Sequence, residues 1–372
     1  MKVIIIGITH HNTLSMIRCF GKKGIKVHVI LHGDTEGSYI AKSTYINCIH
    51  FVDSAEDAIR ELTALYGNED ERDIVISSSD EIASLLDQNF HYLSRRFWLF
   101  NCGTQGCLTS LMDKYTQIEI AAKAGFDVPQ SKVCSNNDCD IKFYPCILKP
   151  LESIHGGKKI YICANEKSLN ESLINFHDGE QIIAQRYINK EAEYVVVGLR
   201  VNNETIIPAY IEKHRETKGA TSYSTVKRIE RLPKSVVESS IRLVEEMNYE
   251  GLFGIELMLQ DGKYYFCEIN LRNDATTYAV SVAGVNLPYI YMLAKQGYNY
   301  SNELRKIREL DSMVESNDFR NVLKCKVAPN RWWKEYKRCE CLYFKDPNDM
   351  KPYQCMRKEF CKSIIKKILY IR

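Results

Sequence analysis

Residues 251–272 read GLFGIELMLQDGKYYFCEINLR, two apolar runs separated by Gln260-Asp261-Gly262. Alternating apolar segments on either side of Asp-Gly are a strong short-range hairpin signal. A three-residue loop with Gly262 in the left-handed position sets Glu256 opposite Phe266. Glu268 then lies on the same side of the ribbon one diagonal step away, about 7 to 8 Å. Asn270 and Arg272 follow at steps of two and share that face while the strand continues. Unpaired carboxylates are costly to bury among Leu, Phe, Ile, Met, Tyr and Cys, so a positive partner is required. Magnesium meets the need, because it takes hard oxygen ligands, keeps waters and is often held by one or two carboxylates plus phosphates. On the hairpin alone, two solvent-facing glutamates or a pairing with Arg272 fit as well.

Upstream, the apolar run 144–149 ends in Lys149 and leads into Ser153, His155, Gly156, Gly157 and Lys158. Glycines let backbone N–H groups approach phosphate oxygens, and a lysine at a strand end places a point charge beside them. The Walker A spacing is absent, and an ordinary β-turn is the plain alternative. The chain opens with a strand at 2–7, a helix carrying Leu14, Ile17 and Phe20, and a second strand at 26–31, a β-α-β unit suited to a small doubly wound domain. Its turn has Gly7 but no G-x-G-x-x-G, which leaves dinucleotide binding unsupported. Another strand at 73–77 enters a helix with Ser79 or Asp80 as N-cap.

The 372 residues carry 50 Lys and Arg against 47 Asp and Glu, ordinary globular values that exclude a disordered or low-complexity chain. No run reaches the ~18 to 20 apolar residues of a membrane span, and the apolar start 3–8 is too short for a signal sequence, so a cytoplasmic location is expected. The 14 cysteines are scattered without C-x-x-C pairs and are expected as free thiols rather than metal ligands. Residues 320–372 hold 15 Lys and Arg against 5 Asp and Glu, and the rest of the chain is net acidic. Within this basic tail Phe360, Ile364, Ile365, Ile368 and Leu369 form the stripe of an amphipathic helix. Docking on the protein's own core is the plain reading; a peripheral membrane surface or a protein partner stays open, as does a homo-oligomer, and no specific nucleic acid is expected.

The ordered set Asp113-Lys114 with Ala124-Gly125 and Pro129, Ile147-Leu148-Lys149-Pro150, Ala184-Gln185-Arg186-Tyr187-Ile188, Gly254-Ile255-Glu256, Cys267-Glu268-Ile269-Asn270-Leu271-Arg272 and Ala283-Gly284-Val285-Asn286-Leu287-Pro288 resembles the ATP-grasp superfamily of carboxylate-amine ligases. Within it the set is most similar to the D-aspartate ligase and carbamoyl-phosphate-synthase-like branch. The resemblance implies an N-terminal doubly wound parallel-sheet domain (1–105), a two-lobed ATP-grasp fold with antiparallel sheets (106–300, lid lobe about 115–187) and a basic C-terminal extension (301–372). It implies ATP with Mg²⁺ or Mn²⁺ as cofactors, and a small carboxylate and an amine as substrates.

By the same resemblance Lys114 and Lys149 contact nucleotide phosphates and the loop with Ser153, Gly156, Gly157 and Lys158 closes over them. Gln185, Arg186, Tyr187 and Ile188 form the hinge strand under adenine, with the Arg186 and Ile188 backbone pairing with the base. Glu193, with Glu191 as alternative, meets the ribose. Glu256, Glu268 and Asn270 hold the metal, and Arg272 steadies the transferring phosphoryl group, with Lys149 assisting. The glycine loop is shorter than the family's, Gln185-Arg186 replaces common acidic residues, and Leu271 replaces a frequent Pro. The implied chemistry is activation of the acid as an acyl phosphate and attack by the amine; an inactive nucleotide-binding regulator or scaffold and a small-molecule kinase are the alternatives. No side-chain nucleophile is needed, so His10, His11, His155 and His214 are expected to be structural or to touch substrate. His214, Arg215, Lys218 and Arg228 form a basic stretch suited to an acceptor carboxylate, Asn273, Asp274 and Thr276 lie where an amino group would come, and Tyr278 and Tyr289 are expected to pack.

Overall fold

The computed structural model describes residues 1–33, 37–68, 70–151, 160–217 and 219–370. Ser153, His155, Gly156, Gly157, Lys158 and Lys218 lie outside the described residues, as do the side chains of Ile365, Ile368 and Leu369.

The first hundred residues build a parallel sheet from β1 (Val3–Gly7), β2 (Val27–His32), β3 (Ile46–Val52), β4 (Asp73–Ser77) and β5 (Phe97–Trp98), in the order β3-β2-β1-β4-β5. The uninterrupted apolar run of β1 follows from cover on both faces. Val3 and Ile5 pack with Leu14, Ile17 and Phe20 of helix α1 (His11–Gly21). Ile4 and Ile6 face the other way, onto Ala58 and Leu62 of α2 (Ala55–Leu65) and Ile82 and Leu86 of α3 (Asp80–Gln88). Ser79 caps α3 by accepting the Ile82 N–H, which makes Asp80 the first helical residue.

A four-stranded antiparallel sheet follows, with β6 (Ser131–Ser135), β7 (Cys146–Pro150), β8 (Tyr161–Cys163) and β9 (Gln181–Arg186) in the order β6-β9-β7-β8. Here one expectation is corrected. Cys134 and Cys139 form a disulfide, because the turn that bridges Ser135 to Asp138 brings their Cα atoms to 5.1 Å, inside the range a disulfide spans. The other twelve cysteines are free.

The largest sheet has seven strands: β10 (Ala192–Val201), β11 (Glu204–Thr217), β12 (Ala220–Arg228), β13 (Gly251–Gln260), β14 (Lys263–Asn270), β15 (Leu310–Met313) and β16 (Cys341–Leu342), in the order β14-β13-β10-β11-β12-β15-β16. The β13-β14 hairpin turns on two residues rather than three, since Gln260 pairs with Lys263 and both Asp261 (φ 50°) and Gly262 (φ 73°) adopt positive φ. Asp-Gly satisfies the two left-handed positions of a primed turn, whose twist matches that of the strands. The shorter turn puts Leu257 opposite Phe266, and a bulge beside Glu256 moves the register one residue further, so that Glu256 pairs directly with Glu268 instead of with Phe266.

The tail contributes β15 and β16 to this sheet and packs over α1, all of whose eleven residues are buried. Arg18 of α1 is fully buried. Its Nε donates to Asp349 Oδ2 at 3.1 Å, and its Nη atoms donate to the carbonyls of Tyr343 (2.7 Å), Phe344 (2.9 Å) and Asp349 (2.9 Å). Asp349 also accepts from Ser43 Oγ at 2.8 Å and Thr44 N at 2.9 Å. Removing one member of a buried ion pair strands the other charge and costs about 3–5 kcal/mol. Asp349→Ala is therefore expected to lower the thermal and urea midpoints sharply. A variant that melts with the parent protein would show that the pair does not hold the tail.

Candidate functional site

A pocket of about 240 Å³ lies where the carboxyl ends of the parallel strands meet the seven-stranded sheet, lined among others by His10, Lys213, Glu256, Glu268, Asn270 and Arg272. Ligands of open α/β sheets bind outside the carboxyl ends of the strands, where the chain leaves through loops and helix N-termini. His10 is such a residue: it caps α1 by accepting the Asn12 N–H on Nδ1 at 3.2 Å. Burial, assisted by Arg272, pulls the His10 imidazole down to about 4, and burial keeps His11 well below its ordinary value, so both rings are neutral at pH 7.

Two carboxylates facing each other at one cross-strand position repel, and burial adds to the cost of charging them. Burial pushes the Glu256 carboxyl up to about 7; Lys213 opposes the rise, and Glu268 and Asp274 add to it. Lys213 Nζ donates to Glu256 Oε2 at 2.7 Å and is also paired with Glu193, which in turn is paired with Lys190. Glu193 is raised by burial, but Lys213 and Lys190 outweigh this and hold it at about 2. The sequence reading placed Glu193 at the ribose; the structure makes it the centre of a lysine-carboxylate chain leading to Glu256. Glu191, the alternative, accepts the Asp261 N–H at 2.7 Å and so braces the hairpin turn.

The donor set fits a hard divalent cation. Glu256 and Glu268 offer carboxylate oxygens, and Asn270, whose Nδ2 donates to Asp274 Oδ2 at 3.3 Å, offers an amide oxygen. Among the described residues no three His, Cys, Asp or Glu side chains form a ready cage for a metal. That suits magnesium, which completes its shell with water and phosphate oxygens. Arg272 lies beside this set: its Nη2 donates to Asn270 Oδ1 at 3.1 Å, and its Nε donates to Asp80 Oδ1 at 2.7 Å.

Lys149, at the end of β7, is buried and donates to Gln185 Oε1 at 3.3 Å. Burial and the neighbouring Lys114 lower its pKa, while Glu268 works against them, so Lys149 lies between the other lysine expected at the phosphates and a proposed metal ligand. Gln185 donates onward to Ser131 Oγ at 3.0 Å, which fixes its amide. At the hinge, the Arg186 N–H is already donated to the Gln130 carbonyl at 2.8 Å and the Tyr187 N–H to the Pro145 carbonyl at 2.9 Å, and the Ile188 carbonyl accepts the Lys190 N–H at 2.9 Å.

The expected acceptor-carboxylate stretch is corrected. His214 and Arg215 lie in β11 rather than in a loop, because β11 pairs antiparallel with β12 along most of its length. Arg215 is held by Asp318 and Glu335, each at 2.7 Å, His214 bonds Thr225 Oγ1 at 2.7 Å, and Arg228 lies 3.7 Å from Glu309. Asn273 is buried against Asn12, Asp274 bonds Thr276, and Tyr278 packs as expected. Two residues escaped the sequence reading. Lys213 went unnoticed because β11 was not recognised as a strand; with Ile211 pointing into the core, alternation by two along that strand was the available signal. Asp80 was read as a helix cap only.

Residues 111–276, a little under half of the chain, match the family model described as ATP-grasp domain. A formate-dependent phosphoribosylglycinamide formyltransferase of Bacillus velezensis is 28% identical over 136 residues, 35% of this chain and 35% of its own length. The chain thus spans about a third of the length of this curated relative. An ADP complex of N5-carboxyaminoimidazole ribonucleotide synthetase has the same fold with a TM-score of 0.66 at 17% identity, over 87% of this chain and 85% of that one. An L-amino acid ligase from Bacillus licheniformis gives 0.60 at 15% identity, over 84% and 79%. The ATP-grasp superfamily and the mixed architecture expected from the ordered motifs are borne out; these matches do not single out the D-aspartate ligase branch.

A carboxyl that titrates near 7 must lose its proton to bind a metal. In the absence of nucleotide, Mn²⁺ affinity measured by electron paramagnetic resonance is expected to fall about tenfold between pH 8 and pH 6, as Glu256 protonates below its value of about 7. In Glu256→Gln this pH dependence should vanish. A parent protein with equal affinity at the two pH values would remove Glu256 from the ligand set.

Proposed function

Residues 111–276 are an ATP-grasp domain, and on that premise we propose that the chain is an ATP-dependent ligase that activates a small carboxylate as an acyl phosphate and joins it to an amine. The observation that carries this reading is the direct pairing of Glu256 with Glu268, flanked by Lys149 and Lys114 on one side and Arg272 on the other. A carboxylate is a poor acyl donor because its leaving group would be oxide. In the first half-reaction its oxygen attacks the γ-phosphorus of ATP, the bond to the β-bridging oxygen breaks and ADP departs. In the second the amine nitrogen attacks the acyl carbon, the carbon–oxygen bond to phosphate breaks, and the nitrogen gives up a proton to solvent as the amide forms.

Positioning and electrostatics supply most of the rate in phosphoryl transfer. Lys149 and Lys114 place two cationic groups at the triphosphate. Burial and Lys114 lower the Lys149 pKa, and Glu268 opposes them only in part. Arg272 keeps its proton against burial because Asp80, Asp274 and Glu268 surround it, and its charge lies where a phosphoryl oxygen would come. Glu256, Glu268 and Asn270 would hold Mg²⁺ or Mn²⁺, which neutralises triphosphate charge when bound. Neutral His10 and His11 line the pocket as hydrogen-bonding groups for substrate.

The L-amino acid ligase among the neighbours and the formate-dependent relative support a small acid as the carboxylate, as does a pocket of about 240 Å³. The division of the chain near residues 105 and 300 belongs to the same proposal, with the third part also supplying two strands to the large sheet. Among the described residues no helix is long and apolar enough to cross a membrane.

The test is a screen for ADP release with Mg-ATP across small acids and amines, followed by hydroxylamine trapping of the acyl phosphate. Acid-dependent trapping supports the ligase; ADP release with a stable phosphorylated product identifies a kinase; nucleotide binding without turnover across the panel identifies a regulator. With a productive pair, Glu268→Gln and Arg272→Lys are expected to lose activity on the order of 10²–10³-fold while melting as the parent does. Lys149→Ala should chiefly raise the KM for ATP. Near-parental turnover in Glu268→Gln would refute the metal assignment.

A further inference from the structure

Arg272 does not stand on its own strand's contacts. Its guanidinium is gripped edge-on by a carboxylate from the first turn of α3, the helix that follows β4 of the N-terminal sheet: Nε donates to Asp80 Oδ1 at 2.7 Å and Nη2 donates to Asp80 Oδ2 at 3.1 Å. Such two-point pairing fixes the plane of the fork as well as its position. Nη2 also donates to Asn270 Oδ1 at 3.1 Å, and Nη1 donates to the Asn273 carbonyl at 3.1 Å. Of the five N–H groups of an arginine, these bonds take four among the described residues, and one Nη1 hydrogen remains for a ligand.

The support behind Asp80 is itself fixed. Asp80 begins α3, and Ser79 caps that helix, so the Asp80 carboxylate is not needed as the cap. The preceding Ser78 is tied to β1 by its N–H to the Ile6 carbonyl at 3.1 Å. Asn12, at the start of α1, donates through Nδ2 to both the Ser78 carbonyl (3.2 Å) and the Asn273 carbonyl (3.1 Å). The parallel sheet therefore holds the segment after β14 at Arg272 and again at Asn273. Asp80 remains 45% exposed although its partner is only 17% exposed, so a side chain reaching in from the rim fixes the direction of a largely buried cation.

We propose that Asp80 is a positioning residue that aims the Arg272 guanidinium at the phosphoryl-transfer site, making the N-terminal sheet part of the catalytic apparatus. This rests on the reading of that site as a phosphoryl-transfer centre. The consequence of losing Asp80 follows from the acids that remain, Glu268 and Asp274, which also act on Arg272. A guanidinium released from Asp80 turns toward them, away from the transferring group and onto a proposed metal ligand. A plain structural role for Asp80 also exists, since an acid in the first turn favours a helix, and the experiment has to separate the two.

Because the acid and amine are unidentified, the probe is Mg·ADP with and without aluminium fluoride, a mimic of the transferring phosphoryl group, measured by calorimetry on the full chain. The parent protein should bind Mg·ADP more tightly when aluminium fluoride is present. In Asp80→Asn the Mg·ADP affinity alone should stay within about twofold, while the fluoride-dependent gain falls about tenfold, the scale of one charge-assisted hydrogen bond. Asp80→Glu, which keeps the charge, should recover part of that gain. A structural role would lower the melting temperature and leave the gain intact, and that result in Asp80→Asn would overturn the proposal. If Asp80→Asn fails to fold, Asp80→Glu decides: a full parental gain despite the displaced carboxylate overturns the proposal, and a partial gain supports it. A parent protein with no fluoride-dependent gain would overturn the phosphoryl-transfer reading and the Asp80 proposal together. A parental gain retained in Asp80→Asn sinks the latter alone.

Discussion

Two glutamates opposed at one cross-strand position cannot both be charged in a half-buried pocket without cations around them. Glu256 and Glu268 are so placed, and much of the surrounding structure answers the problem. Lys213 reaches Glu256 from β11, two strands away across the sheet, and Lys149 acts on Glu268 from a different sheet. Arg272 lies just beyond the end of the strand that carries Glu268, and its own charge is balanced by Asp80. The site is therefore a lattice of alternating charges assembled from all three sheets. The residual deficit shows in the Glu256 carboxyl, which titrates near 7. A divalent cation is the group that such a deficit accommodates.

The architecture explains why the lattice keeps its shape. A hairpin with a primed two-residue turn has a fixed twist, and the bulge beside Glu256 re-aims the strand so that the two acids meet. Gln117, in the helix Lys114–Ala124, then clamps β14, accepting the Ile269 N–H at 3.1 Å and donating to the Ile269 carbonyl at 3.1 Å. Lys114 begins that same helix, so the lysine proposed to meet the phosphates and the strand carrying Glu268 share one rigid support. On the opposite side, the tail packs over α1 through Arg18 and Asp349, and Tyr343 of the tail lines the pocket beside His11.

What was legible in the sequence had a short period and a local cause. The hairpin, its shared face and the strand ending in Lys149 follow from alternation and from Asp261-Gly262, whose preferences are set within a few residues. The residue that loop length alone did not fix was the bulge, since one unpaired residue in β14 changes the partner of Glu256 without altering the apolar pattern. The segment 204–228 was opaque for another reason. Its strands carry Glu212, Lys213, His214, Arg215 and Glu216 in succession, so the polar run hid the alternation, and partners such as Asp318, Glu335, Glu193 and Glu256 make those charges tolerable. Long-range ion pairs of that kind leave no local trace. Arg18, mid-helix and fully buried, is the same case with Asp349 far along the chain.

The chain Lys190–Glu193–Lys213–Glu256 bears on how the pocket responds to a ligand. Glu193 is held low at about 2 by two lysines, whereas Glu256 shares one of them and is held near 7. Lys213 is thus divided between a carboxylate that is always charged and one poised to change. Were a cation held by Glu256, Lys213 would keep its pairing with Glu193. The ammonium then stays paired and buried throughout, which avoids the cost of stranding a charge. Glu193 thus gives Lys213 a second carboxylate besides Glu256.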